Sequence, residues 1–207
     1  PRALVDAACD VVIDFSAPPA TRAAAALLAE GGAGEVAFVS GTTGLTPPDL
    51  AALDALARTR AVLWEPNMSI GVLVLAKLVR EAIGLLGPGY DVEIVEAHHG
   101  LKVDAPSGTA IRLVEAARGA LGEVPMVHGR SGRPGARPSA EIGVHAVRGG
   151  DVIGDHHVHL LGQGERLELT HRASSRDLFA HGALRAAAWL AGRAPGRYAL
   201  ADVLTPA

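Results

Sequence analysis

The sequence predicts an α/β fold built on a parallel sheet. Three short apolar runs rich in β-branched residues, at 11–16, 36–40 and 61–64, are separated by two stretches with helical spacing. The order strand, helix, strand, helix, strand implies parallel strands joined by right-handed crossovers. A further apolar run at 90–95, followed by a helical stretch at 111–121, extends the same alternation.

Capping and turn residues set the ends of the predicted helices. A proline pair at 18–19 begins the first helix, and the glycine pair at 31–32 ends it. Residues 46–49, Thr-Pro-Pro-Asp, resemble a capping box with Asp in place of the usual Glu, and they begin a helix that runs to residue 60. Another helix is predicted over residues 71–86, before a Gly-Pro-Gly stop.

The C-terminal half is predicted to carry more strands and a last helix. Apolar runs at 142–147, 152–161 and 166–170 are interpreted as strands, either of a second sheet or of the chain returning to the first. Residues 176–191 are predicted to be helical. The intervening loop at 130–138 is rich in glycine and arginine, which favours a mobile surface loop.

Composition limits the classes of function. The chain has 207 residues, 49% of them hydrophobic, which is enough for a core in one large domain or two small ones. A net charge of −3 without a basic stripe argues against a nucleic-acid partner. The single cysteine, Cys9, excludes an internal disulfide and fits a reducing cytoplasm. No run approaches the roughly 18 apolar residues of a membrane span, and the start is not a signal peptide.

The stretch with the most chemistry runs from Glu96 to Ala110. Its sequence, Glu-Ala-His-His-Gly-Leu-Lys-Val-Asp-Ala-Pro-Ser-Gly-Thr-Ala, places two histidines and a lysine after a predicted strand, where α/β proteins bind ligands. The backbone N–H groups of residues 107–110 have no partners inside the following helix, and with the helix dipole they form a site for a carboxylate or phosphate. Gly108 lets an anion approach the backbone closely.

His98, His99 and Lys102 add protons or positive charge at the same place, which predicts an acid/base site facing an anionic substrate. Lys102 is one of only two lysines, with Lys77, among 19 basic residues. Arginine keeps its proton near neutral pH, whereas a lysine gives it up when its pKa is lowered, so a lysine here fits a proton donor. The competing interpretation is a solvated loop lysine beside histidines that make structural hydrogen bonds.

Two other functions stay open on the residues alone. Residues 155–159, Asp-His-His-Val-His, put His157 and His159 on one strand face and His156 on the other, and a pair on one face suits zinc. No nearby Cys or Glu completes such a set. The second alternative is a non-catalytic module that binds a small dicarboxylate, because the nearest match to G-x-G-x-x-G, at 32–37, precedes a strand instead of following one.

The stretch at 96–110 resembles the signature of the dihydrodipicolinate reductases, E-A-H-H-x-x-K-x-D-A-P-S-G-T-A, at every fixed position. Gly-Thr-Thr-Gly at 41–44, Pro-Asn-Met-Ser at 66–69, Arg-Gly-Gly-Asp at 148–151 and the stretch at 174–183 are similar to other segments of the family. The resemblance implies reduction of 4-hydroxy-tetrahydrodipicolinate, or its dehydrated form, with NADH or NADPH on the diaminopimelate route to lysine.

The resemblance also implies roles for single residues. It makes His98 and Lys102 the acid/base pair. The residues that it assigns to the substrate are His99, Ser107, Gly108 and Thr109. The residues that it assigns to the nicotinamide cofactor are Phe15, Gly41, Thr42, Thr43, Glu65, Pro66, Asn67, Met68 and Arg148.

Glu65 departs from the family, which usually has a small residue at that position. Because a carboxylate repels an anionic cofactor, its side chain is expected to turn away while its backbone makes the contact. The arginine-rich loop is similar to a family loop near the substrate, which implies that it steers anions. No metal is implied.

The domain organisation follows from the same resemblance. A Rossmann-like sheet, incomplete at its N-terminus, is expected to comprise residues 1–67 and 148–207 and to bind the dinucleotide. An inserted α+β domain at 68–147 is expected to bind substrate and to build a homotetramer through its sheet. The chain begins at Pro1, and the family's glycine-rich fingerprint is expected before it, so these residues alone are expected to bind cofactor weakly and to reduce substrate slowly or not at all.

Overall fold

The computed structural model describes residues 9–30 and 36–204, and the chain divides into two compact units. One unit comprises Pro1–Ile70 and Asp177–Ala207, and the other comprises Gly71–Arg176. The glycine pair expected to end the first helix lies outside the described residues. In the described ranges no helix is long and apolar enough to cross a membrane.

The first unit is built on a four-stranded parallel sheet with the order β1-β2-β3-β9. Elements are numbered in chain order over the whole protein. Those of this unit are β1 (Val11–Asp14), α1 (Pro18–Ala29), β2 (Ala37–Ser40), α2 (Pro47–Leu56), β3 (Ala61–Trp64), α5 (Asp177–Leu190), β9 (Gly196–Tyr198) and a short 3-10 helix (Asp202–Leu204). The predicted parallel pairing of the first three strands is confirmed.

Apolar side chains from both helices and strands form the core of the first unit. Phe38 and Val62 from β2 and β3 pack with Leu28 of α1 and Leu53 of α2, all of them fully buried. The predicted capping box is confirmed, because the Asp49 carboxylate accepts the Thr46 N–H at 2.9 Å. The β9 strand was not predicted, since three residues carry too little pattern.

The second unit is built on a five-stranded mixed sheet with the order β5-β6-β4-β7-β8. Its elements are α3 (Ile70–Leu86), β4 (Asp91–His98), α4 (Gly108–Leu121), β5 (Met126–His128), β6 (Ile142–Arg148), β7 (Asp155–Leu161) and β8 (Arg166–Arg172). The β5, β6 and β4 strands are parallel, while β7 is antiparallel to both β4 and β8.

One face of the five-stranded sheet carries the core of this unit. Buried residues alternate along β4, so that Val92 and Ile94 face α3 and α4. Val79 of α3 and Leu113 of α4 are buried in the same cluster. Because side chains of a strand point alternately to its two faces, the next polar residues of the buried series, Glu96 and His98, belong to this covered side.

The structure corrects the expected domain boundaries. The resemblance places residues 148–176 with the cofactor domain, whereas β7 pairs with β4 from Asp91↔Leu161 to Ala97↔Asp155 and therefore belongs to the second unit. The first sheet is completed by β9 instead. The sequence did not reveal this, because apolar runs identify strands but do not identify their partners.

Candidate active site

Glu96 and His98 lie at the carboxyl end of β4, which extends three residues beyond the predicted strand. They are two positions apart and therefore share a face of the sheet. Glu96 is fully buried, and His98 is only 8% exposed. The strand thus delivers a carboxylate and an imidazole together to the edge of the sheet at which α4 begins.

The Glu96 carboxylate is the centre of a hydrogen-bonded cluster. Arg148 of β6 donates from Nη1 to Oε2 and from Nη2 to Oε1, both at 2.7 Å. The Nδ1 atom of His98 lies 2.5 Å from Oε2, and the Ser107 N–H donates to Oε1 at 3.0 Å. Burial by itself raises the pKa of Glu96, but the hydrogen bonds from Arg148, His98 and Ser107 outweigh it and hold the pKa below its ordinary value. Glu96 is therefore ionised at neutral pH.

Ser107 is the N-cap of α4, and its hydrogen bonds reduce the number of backbone N–H groups that can bind an anion at the predicted site. Its Oγ accepts the Ala110 N–H at 3.1 Å, and its own N–H is used by Glu96. The N–H groups of Ser107 and Ala110, which were expected to face an anion, therefore have protein partners. A Cβ added at Gly108, the first helical residue, would meet no atom within 4 Å. The open space for an anion lies at the Gly108 end of the turn.

His156 of β7 belongs to this cluster, although the sequence did not assign it to the site. It is 3% exposed, its Nε2 lies 3.1 Å from the Ser107 Oγ, and its ring stands edge-on to His98 at 5.2 Å. Burial, and then the nearby His98, lower the pKa of His156 to about 3, so the ring is neutral at pH 7. The alternation along β7, which puts His156 on the side of Val158, was the signal that could have found it.

Lys102 lies in the loop between β4 and α4. Its Nζ donates to the Asp104 Oδ1 at 2.7 Å, and its side chain is 20% exposed. The Lys102 ammonium is the main reason why the pKa of Asp104 lies below its ordinary value. Arg148 also donates to the Asp104 carbonyl at 2.7 Å, so one arginine holds both this loop and Glu96. Lys102 is therefore held at the site and is not a freely solvated side chain.

His99 is the first residue after β4. Its N–H donates to the Val152 carbonyl at 2.7 Å, and its Nε2 lies 3.5 Å from an Nη2 atom of Arg176. No role was predicted for Arg176, although it lies in the Ser-Ser-Arg stretch at 174–176 that is similar to a segment of the family. The structure therefore collects the predicted substrate and acid/base residues around the end of β4 and the start of α4, within the second unit. These residues are His98, His99, Lys102, Ser107, Gly108 and Thr109.

The arginine-rich loop is anchored to β4 by arginines at its two ends, while residues 131–136 between them are exposed, as expected of a surface loop. Arg130 and Arg137 donate to the Glu93 Oε1 at 2.8 and 2.9 Å, and Arg130 also pairs with Glu141. His145 Nε2 lies 2.7 Å from the Glu93 Oε2. Burial raises the pKa of Glu93, but Arg130, Arg137 and His145 outweigh it and lower this pKa to about 2. Both arginines are thus engaged by carboxylates on the sheet face opposite Glu96.

The second histidine pair is also engaged by its neighbours. The Nδ1 of His157 lies 3.1 Å from the Thr170 Oγ1, and the Nδ1 of His159 lies 3.5 Å from Glu168. The two rings stack at 6.3 Å on one face of β7, as the alternation predicts. Within residues 9–30 and 36–204, no group of three or more His, Cys, Asp or Glu side chains is placed to hold a metal ion.

In the first unit, the loops after β1, β2 and β3 meet at the carboxyl edge of the parallel sheet. Asp14 joins two of these loops, because its Oδ2 accepts the hydroxyls of Thr21, Ser40 and Thr42 at 2.6, 2.9 and 3.0 Å. Burial raises the pKa of Asp14, but the hydroxyl donors, with Ser16 first, outweigh it and lower the pKa. An ionised carboxylate therefore fixes the β1 and β2 loops against each other.

An exposed aromatic ring lies over the glycine of the second loop. A Cβ at Gly41 would collide with the Phe15 ring, which is 52% exposed. Trp64 Nε1 donates to the Thr42 carbonyl at 2.8 Å and so holds the turn at 41–43 in place. An open aromatic surface next to a fixed backbone turn suits a planar ring such as nicotinamide. The residues present therefore fit that end of a dinucleotide.

The other predicted cofactor residues are divided between the two units. Residues 65–68 follow β3, where the Glu65 N–H donates to the Ser40 carbonyl at 3.0 Å and the Asn67 side chain accepts the Ser69 N–H at 3.0 Å. The Glu65 backbone is therefore part of the same edge. Arg148 instead lies in the second unit, where both of its terminal nitrogens donate to Glu96. These hydrogen bonds explain the presence of an arginine at this position without a contact to the cofactor.

The fold and the site together define a class. One unit offers a parallel sheet with ligand-facing loops after its strands, and the other offers an imidazole, a lysine and a helix start suited to an anion. This combination is that of a nicotinamide-dependent oxidoreductase acting on a small anionic substrate.

The chain belongs to the dihydrodipicolinate reductase family. The model of the family's N-terminal domain matches residues 2–68, and the model of its C-terminal domain matches residues 71–204. The junction between the two matches falls beside the first boundary between the compact units, at Ile70.

Individual relatives agree with the family assignment. The chain is 53% identical over 205 residues to a 4-hydroxy-tetrahydrodipicolinate reductase from Myxococcus xanthus, covering 98% of this chain and 74% of the relative. It is 54% identical to one from Anaeromyxobacter sp., covering 96% and 74%. A solved dipicolinate-bound dihydrodipicolinate reductase from Paenisporosarcina sp. TG-14 superposes with a TM-score of 0.78 at 25% identity, covering 99% of this chain and 77% of the other.

Proposed function

We propose that the protein reduces 4-hydroxy-tetrahydrodipicolinate, or the dihydrodipicolinate left after loss of water, to tetrahydrodipicolinate with NADH or NADPH. This is a step on the diaminopimelate route to lysine. The observation that carries the proposal is the joining of His98 and the Ser107 turn through Glu96, which holds a proton donor and an anion site in one cluster. Relatives that are 53–54% identical carry the name of this activity, which supports it.

The substrate is a ring that bears two carboxylates. We assign one carboxylate to Gly108 and Thr109 at the start of α4, where the helix dipole and the backbone N–H groups favour an anion. His99 and Lys102 add positive charge or hydrogen-bond donors on the preceding loop, and Ser107 keeps the turn in shape. The dipicolinate found with the structural relative is a planar ring with two carboxylates, which supports a dicarboxylate ligand.

His98 is assigned the proton transfer. The chemistry that NADH or NADPH would supply here, when bound, is a hydride for the substrate ring. The proton that completes the reduction leaves the His98 Nε2, and the electron pair of the broken N–H bond stays on that nitrogen. Lys102 is assigned the role of a second donor on the same loop. The ionised Glu96 at Nδ1 stabilises the positive charge of the imidazole before it gives up its proton.

The nicotinamide end of the cofactor is assigned to the loop edge of the first unit. Phe15 offers a ring face, the turn at Gly41, Thr42 and Thr43 offers backbone groups, and the loop of Pro66, Asn67 and Met68 borders the same edge. We assign the contact at Glu65 to its backbone, which is tied to β2 through Ser40. Arg148 is assigned to the support of Glu96 and not to the cofactor, because Nη1 and Nη2 are already used.

We also propose a cytoplasmic homotetramer. The sheet face opposite α3 and α4 carries apolar side chains, among them Val147 at 51% and Leu161 at 37% exposure. A second copy that buries this face would cover them, which supports assembly through the second unit. The single cysteine suits a reducing compartment.

A reductase assay tests the function. The purified protein is mixed with NADPH or NADH and 4-hydroxy-tetrahydrodipicolinate, and oxidation of the cofactor is followed with and without dipicolinate. We expect substrate-dependent oxidation that dipicolinate inhibits. His98→Gln should lower kcat by about 10² or more, as removal of one general acid does. His181→Gln, at an exposed position of α5, is the matched control. A folded protein that binds both NADPH and dipicolinate but shows no substrate-dependent oxidation, or equal rates for His98→Gln, would contradict the proposal.

A further inference from the structure

We propose that Glu96 is a positioning residue for the reduction, because its carboxylate keeps a proton on the Nδ1 of His98 and so reserves Nε2 for proton transfer. The same carboxylate fixes the Ser107 N-cap, which couples the orientation of the imidazole to the anion site. The inference rests on the proposed role of His98 and goes beyond it by assigning the tautomer of the ring and the group that sets it.

The chemistry of the Glu96 carboxylate and the His98 imidazole determines where the proton of the hydrogen bond lies. An ionised carboxylate has no proton to donate, so the nitrogen that faces it must carry the hydrogen of the hydrogen bond. The 2.5 Å separation between the Glu96 Oε2 and the His98 Nδ1 therefore assigns the Nδ1–H tautomer to the neutral ring. The tautomer of a histidine is set by the bond that its other nitrogen makes. Nε2 is left as the atom that gains and loses a proton.

The surroundings of Nε2 agree with this assignment. Across residues 9–30 and 36–204, the hydrogen bond at Nδ1 is the only one made by the His98 ring. A Cβ on Gly154 would lie 3.0 Å from Nε2, so the absence of a side chain at that position keeps room beside the reactive nitrogen. His156, the ring that stands edge-on at 5.2 Å, is buried and neutral and adds no competing charge.

Arg148 makes the orientation of the Glu96 carboxylate specific. A buried carboxylate without a partner is costly, and the two parallel hydrogen bonds from Arg148 compensate its charge and fix its plane. Each oxygen then has a defined second donor, which is His98 at Oε2 and Ser107 at Oε1. The carboxylate cannot rotate without losing several of these bonds at once.

The same geometry predicts the effect of Glu96→Gln. If the amide nitrogen takes the Oε1 position, it faces two fixed donors, Ser107 N–H and Arg148 Nη2. If it takes the Oε2 position, it faces Arg148 Nη1 and the His98 ring, and the ring can relieve the conflict by moving its proton to Nε2. In the second arrangement, fewer hydrogen-bond donors point at the amide NH2 group. Glu96→Gln should therefore invert the tautomer of His98 while Ser107 keeps its acceptor.

Nitrogen NMR of the imidazole rings in the whole protein tests the assignment. The His98 signals are identified by their loss in His98→Gln, and the proton is located at a pH where the ring is neutral. We expect the proton on Nδ1 in the parent and on Nε2 in Glu96→Gln. A parent ring with its proton on Nε2 would overturn the proposal, and this measurement on the parent alone decides the question if the variant does not fold.

Kinetics separate positioning from general damage. We expect kcat of Glu96→Gln to fall by about 10² or more, as in other sites where an amide replaces the carboxylate behind a catalytic imidazole. Affinity for dipicolinate, measured by calorimetry, should change little, because the Ser107 turn keeps its acceptor. An unchanged kcat, or an unchanged tautomer in the folded variant, would overturn the inference.

Glu93→Gln is the matched control, since Glu93 lies on the same strand and also binds arginines and a histidine, but on the opposite face. We expect it to keep kcat and the His98 tautomer of the parent. A parent that binds NADPH and dipicolinate but fails to reduce the substrate would contradict the proposed function, and its tautomer would still be readable by NMR. The two failures are therefore distinguishable.

Discussion

At the scale of single residues, the site depends on which basic groups can release a proton. Lys102 lies beside Asp104 in a chain that uses arginine almost everywhere else. Its ammonium can act as a donor to the substrate or as a fixed positive charge. An arginine at the same position would supply only the second of these roles, because its pKa is too high for transfer.

Lys102→Arg is therefore expected to retain ligand binding and lose turnover. The guanidinium keeps the charge next to Asp104, so affinity for dipicolinate should change little, while kcat falls by about 10² to 10⁴, the range for one general acid. Steady-state kinetics and calorimetry on the same preparation check both expectations. Lys77→Arg, at the other lysine, which is exposed on α3, should match the parent. Parent-like turnover by Lys102→Arg would mean that Lys102 is an anchor only.

Gly108 provides a second test at this scale. A Cβ at Gly108 meets no atom within 4 Å, so Gly108→Val should fold, but its side chain would fill the space where a carboxylate approaches the helix start. KM for the substrate should rise sharply. The control is Gly84→Ala in the last turn of α3, where space is also open, and it should leave KM at the parent value. An unchanged KM for Gly108→Val would remove this turn from the site.

At the scale of elements, the charged contacts of β4 hold the loop that precedes β6. The Glu93 carboxylate accepts hydrogen bonds from Arg130 and Arg137 and lies beside the His145 ring. These three partners lower the pKa of Glu93 to about 2. A carboxyl group whose pKa is lower in the folded state stabilises the fold at pH values above its ordinary pKa. This stabilisation is lost as the pH falls through the folded-state value.

The free energy of unfolding should therefore depend on Glu93 in a defined pH window. Urea unfolding of the parent and of Glu93→Gln should differ most above about pH 4.5, and the difference should shrink as the pH is lowered toward about 2. Glu115→Gln, an exposed partner of Arg118 on α4, should show a much smaller difference. A difference between parent and Glu93→Gln that does not change with pH would contradict the role of this carboxylate.

Gly182 tests the packing of α5 against the loop after β3. A Cβ at Gly182 would collide with the Met68 carbonyl oxygen, so Gly182→Ala must displace the helix or the loop. The fold should lose about 1–3 kcal/mol, and KM for NADPH should rise, whereas affinity for dipicolinate should not. His181→Ala, at the neighbouring exposed position, should have neither effect. A Gly182→Ala protein with parent stability would show that this contact tolerates a methyl group.

The sequence predicted the longer elements of both units. Runs of β-branched residues located β1, β2 and β3, and helix stops and caps located most helix ends within a few residues. It missed β5 and β9, because each has three residues and shows no periodicity. It ended β4 at residue 95, since Glu96 and His98 are polar, although both are buried there. Polar residues in a strand are accommodated by partners that are distant in sequence, such as Arg148 and His156.

At the scale of the whole molecule, the residues of the signature were visible in the sequence but their connections were not. The sequence named His98, Lys102 and the Ser107 turn without naming the carboxylate that joins them. Glu96 connects these residues because β6 places Arg148 within hydrogen-bond distance of its carboxylate, and the loop after β4 places the Ser107 N–H there too. The assignment of β7 and β8 to the second unit was also missed, since it depends on antiparallel pairing with β4. Pairing between distant segments is what single-sequence patterns lack.

We propose that the end of β4 and the start of α4 form one site for a dicarboxylate and for proton transfer. A crystal structure of the protein with dipicolinate tests it most directly. We expect one carboxylate of dipicolinate at the backbone N–H of Gly108, and the ring within reach of the His98 Nε2. Density for dipicolinate elsewhere, with none at this turn, would show that the end of β4 and the start of α4 do not form the dicarboxylate site.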